Sequence, residues 1–321
     1  SFPTRRSSDL LELDFSNCIK LSDAGVKFFL EGIRWLTKLK ELRLLFSNCT
    51  QLSDNALLYI KEGLLSLKEL EELTLDFENS QNIYDNGMVH LQSLLKHCLS
   101  IKVLNLSLSG CKYITYNGLL SLKEGLVCLR HLREISLDFS NCPSLFDKGI
   151  ENLLGGWDAL YDLKKLKLSF ANGSSITDSG IKVLESFSSF KTLEVLELGF
   201  DKCGRISEKS IETIKEVLKT LICLRKVNLS FSNCSNITDN GVYILQEGIK
   251  SLISLEELEL RFSSCTKITD FGLGVIKFGV KNLESLYKIK LDFSSIPKVT
   301  KQAVEDLQLG LSYISDLEIV I

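Results

Sequence analysis

Leu224-Arg-Lys-Val-Asn-Leu-Ser-Phe-Ser-Asn-Cys-Ser-Asn-Ile-Thr-Asp-Asn-Gly241 decides the fold. Val227, Leu229 and Phe231 stand two apart, the period of a strand with one buried face. Cys234 and Ile237 follow, then Thr238-Asp239, a capping hydroxyl with an acid in the first turn of a helix. Behind them Val242, Leu245, Ile249 and Leu252 recur at helical spacing. The unit is strand, turn, helix.

The rest of the chain copies it. The position of Phe231 recurs as Phe15, Phe46, Phe77, Leu108, Phe139, Phe170, Phe200, Phe262 and Phe293, always 31 residues apart except for 30 between Phe170 and Phe200. An eleventh strand, Leu317 to Ile321, ends the chain. Such regularity predicts stacked units, none able to bury its apolar face alone. An elongated α/β solenoid therefore replaces the two globular domains that 321 residues would suggest.

The pattern Leu-x-x-Leu-x-Leu-x-Phe-x-x-Cys-x-x-[Ile/Leu]-[Thr/Ser]-Asp-x-Gly resembles the leucine-rich repeat superfamily. Cys234 to Gly241 and Cys265 to Gly272 are similar to its cysteine-containing subfamily, known from the substrate-binding halves of F-box proteins. Ser80, Gly173 and Ile296 depart from the cysteine, and Tyr116, Glu208 and Lys301 from the aspartate. The 31-residue period also approaches ribonuclease-inhibitor-like repeats. The resemblance spans residues 11–321. It implies a horseshoe of about ten repeats, with a parallel sheet on the concave side and helices on the convex side.

Residues 1–10, Ser-Phe-Pro-Thr-Arg-Arg-Ser-Ser-Asp-Leu, share nothing with the repeats. They match one reading frame of a sequencing-adapter oligonucleotide and are read as an unstructured assembly artefact. Residues 11–321 then form a single leucine-rich repeat domain that starts in mid-repeat and is read as a fragment.

Helix starts are expected at Ser22-Asp23, Ser53-Asp54, Thr177-Asp178, Ser207-Glu208, Thr238-Asp239 and Thr269-Asp270. Glycines 25, 87, 118, 149, 180, 241 and 272 fall in the first helical turn, where close approach of neighbouring backbones explains them. Leu36, Leu67, Cys98, Leu129, Leu160, Leu221, Leu252 and Leu283 mark a buried face near the helix ends. Trp35, Trp157, Phe190 and Phe278 belong to helices, where partial burial is expected.

Seven of the ten cysteines (18, 49, 111, 142, 203, 234 and 265) share one position, which suits stacked buried thiols better than disulfides or redox chemistry. Reduced thiols favour a cytoplasmic compartment. The sequons at Asn105 and Asn228 lean the same way, because both fall inside the sheet. No apolar run approaches the roughly 18 residues of a membrane span. A net charge of −3 calls for neither nucleic acid nor anionic lipid.

Catalysis finds little to work with. The three histidines, His90, His97 and His131, fall on or near helices, and no phosphate loop, nucleophile elbow or zinc-protease motif occurs. Cys98, Cys128, His97 and His131 form a conceivable zinc set. Cys98 holds a buried leucine position, however, and points away from the others. No enzyme activity, cofactor or metal is expected.

What remains is the face of the strand residues that alternate with the buried ones. Its candidate partner-binding residues are Glu12, Asp14, Arg43, Asp76, Glu78, Asp138, Glu197, Asp201, Glu259, Arg261 and Asp292; with Lys167 and Lys290 the face carries about −5. An acidic trough for a basic protein and an inert solvated sheet are both compatible with it, since no Trp or Tyr lies in these columns to anchor a hot spot. The expected function is non-catalytic protein binding, foremost as the substrate-recognition part of an F-box-type ubiquitin ligase adaptor. A ribonuclease-inhibitor-like enzyme inhibitor and a structural, cytoskeletal scaffold are the alternatives.

Overall fold

The computed structural model describes residues 9–321. The assignment of residues 1–8 as an unstructured artefact lies outside the described residues. Leu10, the last residue of that peptide, opens the first strand. The chain divides into two compact units, one ending at Leu163 and the other running from Lys164 to Ile321.

The first unit alternates β1 (Leu10–Asp14), α1 (Asp23–Ile33), β2 (Glu41–Leu45), α2 (Asp54–Leu64), β3 (Glu72–Asp76), α3 (Asp85–His97), β4 (Val103–Ser107), α4 (Tyr116–Leu126), β5 (Glu134–Asp138) and α5 (Asp147–Leu154). Its strands pair in chain order, all parallel. The register sets Leu11, Leu42, Leu73, Leu104 and Ile135 side by side, and likewise Glu12, Arg43, Thr74, Asn105 and Ser136 on the opposite face.

The second unit runs β6 (Lys165–Ser169), α6 (Asp178–Ile181), β7 (Val195–Gly199), α7 (Glu208–Leu218), β8 (Lys226–Ser230), α8 (Asp239–Ile249), β9 (Glu257–Arg261), α9 (Asp270–Val280), β10 (Lys288–Asp292), α10 (Lys301–Gly310) and β11 (Asp316–Val320). These strands also pair in order and in parallel. Each unit is thus an α/β repeat solenoid of leucine-rich type.

The repeat at residues 170–199 departs from the rest. After one turn, α6 passes into a 3-10 helix at Lys182–Ser189. A 3-10 helix rises about 2.0 Å per residue against 1.5 Å for α. It covers the same span with fewer residues, which accommodates the 30-residue spacing. In the repeat before it, α5 stops after eight residues at Gly155 and left-handed Gly156, φ 81°.

Apolar strand residues point under the helices. Leu260 of β9 borders the same small core cavity as Val242, Leu245 and Ile249 of α8 and Ile276 and Val280 of α9. The strand phenylalanines stack on one another, Phe15 on Phe46 at 5.7 Å between ring centres and Phe231 on Phe262 at 5.7 Å. Such aromatic pairs add to the stabilisation that burial itself gives.

Behind the rings the cysteine column is buried except at its first member, Cys18, which is exposed. Cys49, Cys111, Cys142, Cys203, Cys234 and Cys265 donate to the carbonyl of the aromatic or leucine that opens the preceding turn, at 3.1–3.4 Å. Burial pushes these thiols up, to about 12 at Cys142 and about 11 at Cys203 and Cys265. All ten cysteines are free. Between ring and thiol a left-handed residue turns the chain, usually asparagine, as at Asn48 (φ 61°) and Asn233 (φ 61°). Asparagine tolerates this conformation better than other side chains.

The first-turn aspartates do more than complement the helix dipole. Asp85 accepts from Thr115 N and Oγ1, and Asp239 from Thr269 N and Oγ1, each in the following repeat. Asp239 also accepts from Gly272 N at 3.0 Å. These carboxylates correct the expected reason for the helical glycines. A Cβ on Gly118 would stand 2.5 Å from Asp85 Oδ1. The neighbour to be cleared there is a side chain, not a backbone.

Two other expectations change. Leu36 is exposed, because among the described residues no repeat stacks on that side of it, whereas Leu67 to Leu283 of its column are buried. Trp157 and Phe190 are fully buried, while Trp35 and Phe278 are 74% and 64% exposed.

Candidate partner-binding face

On each strand, the residues that alternate with the buried leucines look away from the helices. Glu12, Asp14 and Arg43 are exposed, and Asp76, Glu78, Asp138, Glu197, Asp201, Glu259, Arg261 and Asp292 are half-buried by their neighbours in the sheet. The sequence columns therefore share one face within each unit, as expected. Glu78 and Asp201 lie just past the strand ends, in the turns.

Several of these carboxylates shape the backbone. Asp76 accepts from Glu78 N at 2.9 Å and from Ser47 Oγ at 2.6 Å. Asp14, Asp138 and Asp292 accept from the amides of Ser16, Ser140 and Ser294, two residues on. Asp201 accepts from Ser232 N and Ser230 Oγ of the next repeat. These are turns built by aspartate side chains. Hydrogen bonds from the Ser16 hydroxyl and amide hold the Asp14 carboxyl below its usual range.

The sequence columns omit one row. Glu41, Glu72 and Glu134 open their strands on the same face in the first unit, and Lys165, Lys226, Glu257 and Lys288 do so in the second. Counting this row and the last strand changes the distribution of charge. The first unit carries eight carboxylates on this face, seven of them exposed or half-buried and Glu41 buried, against one guanidinium, Arg43. The second presents seven against six bases.

Arg43 is spoken for. Its Nη2 lies 2.6 Å from the carboxylate of Glu41, which is only 3% exposed, and its Nη1 lies 3.7 Å from Glu12. In the second unit Lys167 pairs with Glu197 at 3.0 Å, Lys226 with Glu257 at 3.3 Å and Arg261 with Glu259 at 2.5 Å. Lys290 pairs with Glu318 at 3.0 Å, and Asn228 donates to Glu259 at 2.9 Å. Exposed pairs of this kind add little stability but flatten the field. The uniform acidic trough becomes an acidic first unit and a nearly neutral second one.

The histidines and remaining cysteines sit elsewhere. His90 lies on α3, its pKa pushed down by burial and by Lys61. His97 Nδ1 lies 2.7 Å from Ser93 O, and His131 is 3.5 Å from Asp162. Cys98 is buried against Leu64 O, and Cys128 donates to Glu124 O. Among the described residues no group of three or more histidine, cysteine or acidic side chains could hold a metal ion. No helix there is long and apolar enough to cross a membrane.

One feature of this region escaped the sequence columns. Tyr84, Tyr113 and Phe146 are exposed in the turns that lead from β3, β4 and β5 into α3, α4 and α5, and Tyr116 is exposed on the first residue of α4. The signal was present in the repeat columns: the other repeats carry serine or threonine where Tyr84 and Phe146 stand, polar or basic residues in place of Tyr113, and almost always an acid in place of Tyr116.

No protein-family model matches the chain, and no curated protein is significantly similar to it. Solved structures do match, among them a crystal structure of a Rad7 and Elc1 complex in yeast. That match has 20% identity and a TM-score of 0.48, over 92% of this chain and 78% of the other. At those values the fold of this chain rests on its own repeats.

Proposed function

We propose that the chain is a non-catalytic protein-binding module that meets its partner with the strand face, chiefly in the first unit. The observation behind this reading is the charge distribution: seven accessible carboxylates against one paired guanidinium on a face that, among the described residues, no helix covers. Such a field speeds encounter with a basic partner and disfavours acidic ones. The basic protein partner and the eleven face residues named from the sequence belong to this proposal. The resemblance of the repeats to those of F-box proteins supports its specific form, substrate recognition for a ubiquitin ligase.

The test is affinity purification from the source cells with the full chain and two charge variants. Glu12→Lys with Glu72→Lys and Glu134→Lys should release a partner that the unaltered chain retains. Glu257→Lys with Glu318→Lys should keep it. A partner held equally by all three proteins would overturn the proposal.

A further inference from the structure

The helix N-cap column reads Ser22, Ser53, Tyr84, Thr115, Phe146, Thr177, Ser207, Thr238, Thr269 and Thr300. In seven of these the hydroxyl accepts from an amide of its own helix. Tyr84 and Phe146 make no such bond. Their helices forfeit a favourable cap and instead present rings that are 45% and 52% exposed. A departure from the local rule without a packing gain marks a functional position more often than a structural one.

The repeat between them completes the patch. Tyr113 and Tyr116 are 50% and 45% exposed, at positions where the neighbouring repeats carry Asn82 and Ser144, Asp85 and Asp147. Tyr113 stacks on Tyr84 with ring centres 5.0 Å apart and planes inclined by 12°. Backbone bridging between Tyr84 and Tyr113 holds the two turns together. The result is an open aromatic strip across three consecutive repeats of the first unit.

The strip lies in the turns that follow β3, β4 and β5, the strands whose outward charge is most one-sided. The outward positions of β3, β4, β5 and the residues just past them hold Glu72, Asp76, Glu78, Glu134 and Asp138, and no base. Beside the strip, Lys112 of the turn and Lys148 of α5 are matched in number by Asp85 and Asp147, and Lys148 pairs with Glu151 at 3.3 Å. Aromatic faces beside carboxylates match one side chain above others. A guanidinium is always charged, stacks on rings and pairs with carboxylates through a planar fork, which an ammonium does not do. The same carboxylates repel the phosphates of a nucleic acid, although bases could stack on the rings.

We infer that the Tyr84–Tyr113 strip and the acidic ends of β3 to β5 form one docking surface for an arginine-rich segment of a partner protein. It rests on the strand-face reading above and gives the partner its chemistry. Arginine side chains stack on the tyrosines while neighbouring arginines meet the strand carboxylates.

The probe is a fluorescein-labelled peptide of four Arg-Gly-Leu units, titrated into the full chain and followed by anisotropy, beside the lysine-for-arginine peptide and a twelve-residue oligothymidine. The arginine peptide should bind about tenfold more tightly than the lysine peptide. Tyr84→Ser with Tyr113→Ser should weaken it about tenfold, with little effect on the lysine peptide. Glu78→Gln with Asp138→Asn, at the strand ends that lead into these turns, should weaken both peptides. If the tyrosine variant melts early, Tyr84→Leu with Tyr113→Leu repeats the test with apolar bulk kept.

Full arginine-peptide binding by the tyrosine variant, with loss in the carboxylate variant, overturns this inference and leaves the strand-face reading standing. Unchanged binding in both variants overturns both. Tighter binding of oligothymidine, or self-association that the tyrosine substitutions abolish, overturns the choice of occupant.

Discussion

Ser80→Cys should stabilise the protein. Ser80 occupies the column in which six other repeats bury a cysteine, and it is itself fully buried. Those six thiols reach the carbonyl one repeat back at 3.1–3.4 Å, whereas Ser80 Oγ has no hydrogen-bond partner among the described residues. The C–S bond is longer than C–O, so the thiol spans a gap that the hydroxyl does not. A buried, unsatisfied hydroxyl costs about 1–3 kcal/mol, and sulfur replaces it with a larger and less polar atom. Allowing for imperfect fit, the gain should be about 1–2 kcal/mol. Guanidinium unfolding followed by circular dichroism measures it, with hydrogen exchange at residues 72–97 to localise the effect. Ser80→Ala serves as the control and should be near neutral, trading the unsatisfied group for a small void. The reasoning is refuted if Ser80→Cys is neutral or destabilising, or if Ser80→Ala costs more than about 1 kcal/mol, because the hydroxyl would then have a partner.

Gly118→Ala should destabilise by about 1–3 kcal/mol, although alanine normally improves a helix interior, because its Cβ would meet Asp85 Oδ1 and Met88 Cγ. Thermal melting of this variant alone and with Asp85→Ala measures the clash, which the second substitution should partly relieve. Burial alone would raise the Asp178 carboxyl, but bonds from Ser207 and Ser210 outweigh it and leave the group below the usual carboxylate range. A pKa lower in the folded than in the unfolded chain contributes stability above the unfolded value, near 4. That contribution disappears as pH falls through the folded one. Urea midpoints should therefore hold steady from neutral pH to about 5 and fall below about 4, with a smaller fall in Asp178→Asn. Iodoacetamide at neutral pH should label exposed Cys18 and Cys223 within minutes and spare Cys142, Cys203 and Cys265, as peptide mass spectrometry can read.

The repeat was legible because each unit solves the same packing problem. Phe231 and its counterparts mark strands whose register follows directly from equal spacing, and Thr238-Asp239 and its counterparts mark helix starts. What the aspartates bind was not legible. Asp239 reads as a first-turn acid, and only stacking brings Thr269, 30 residues on, to its carboxylate. The 3-10 helix after Ile181 left one trace, the shorter spacing between Phe170 and Phe200. The row of Glu41 is hidden because the apolar alternation in the sequence begins only at Leu42. The strand opens at Glu41, one pleat before Arg43. Tyr84 and Tyr113 went unnoticed for a different reason. They belong to turns, whereas the outward strand positions hold neither Trp nor Tyr.

The most direct test of the account places one photo-crosslinking residue at Ser136, on the strand face of the first unit, and in a second protein at Ser121, on α4. Irradiated in the source cells, the Ser136 protein should crosslink to one discrete partner with a basic surface, and the Ser121 protein should not. Crosslinks from Ser121 alone would move the binding surface to the helices and contradict the account.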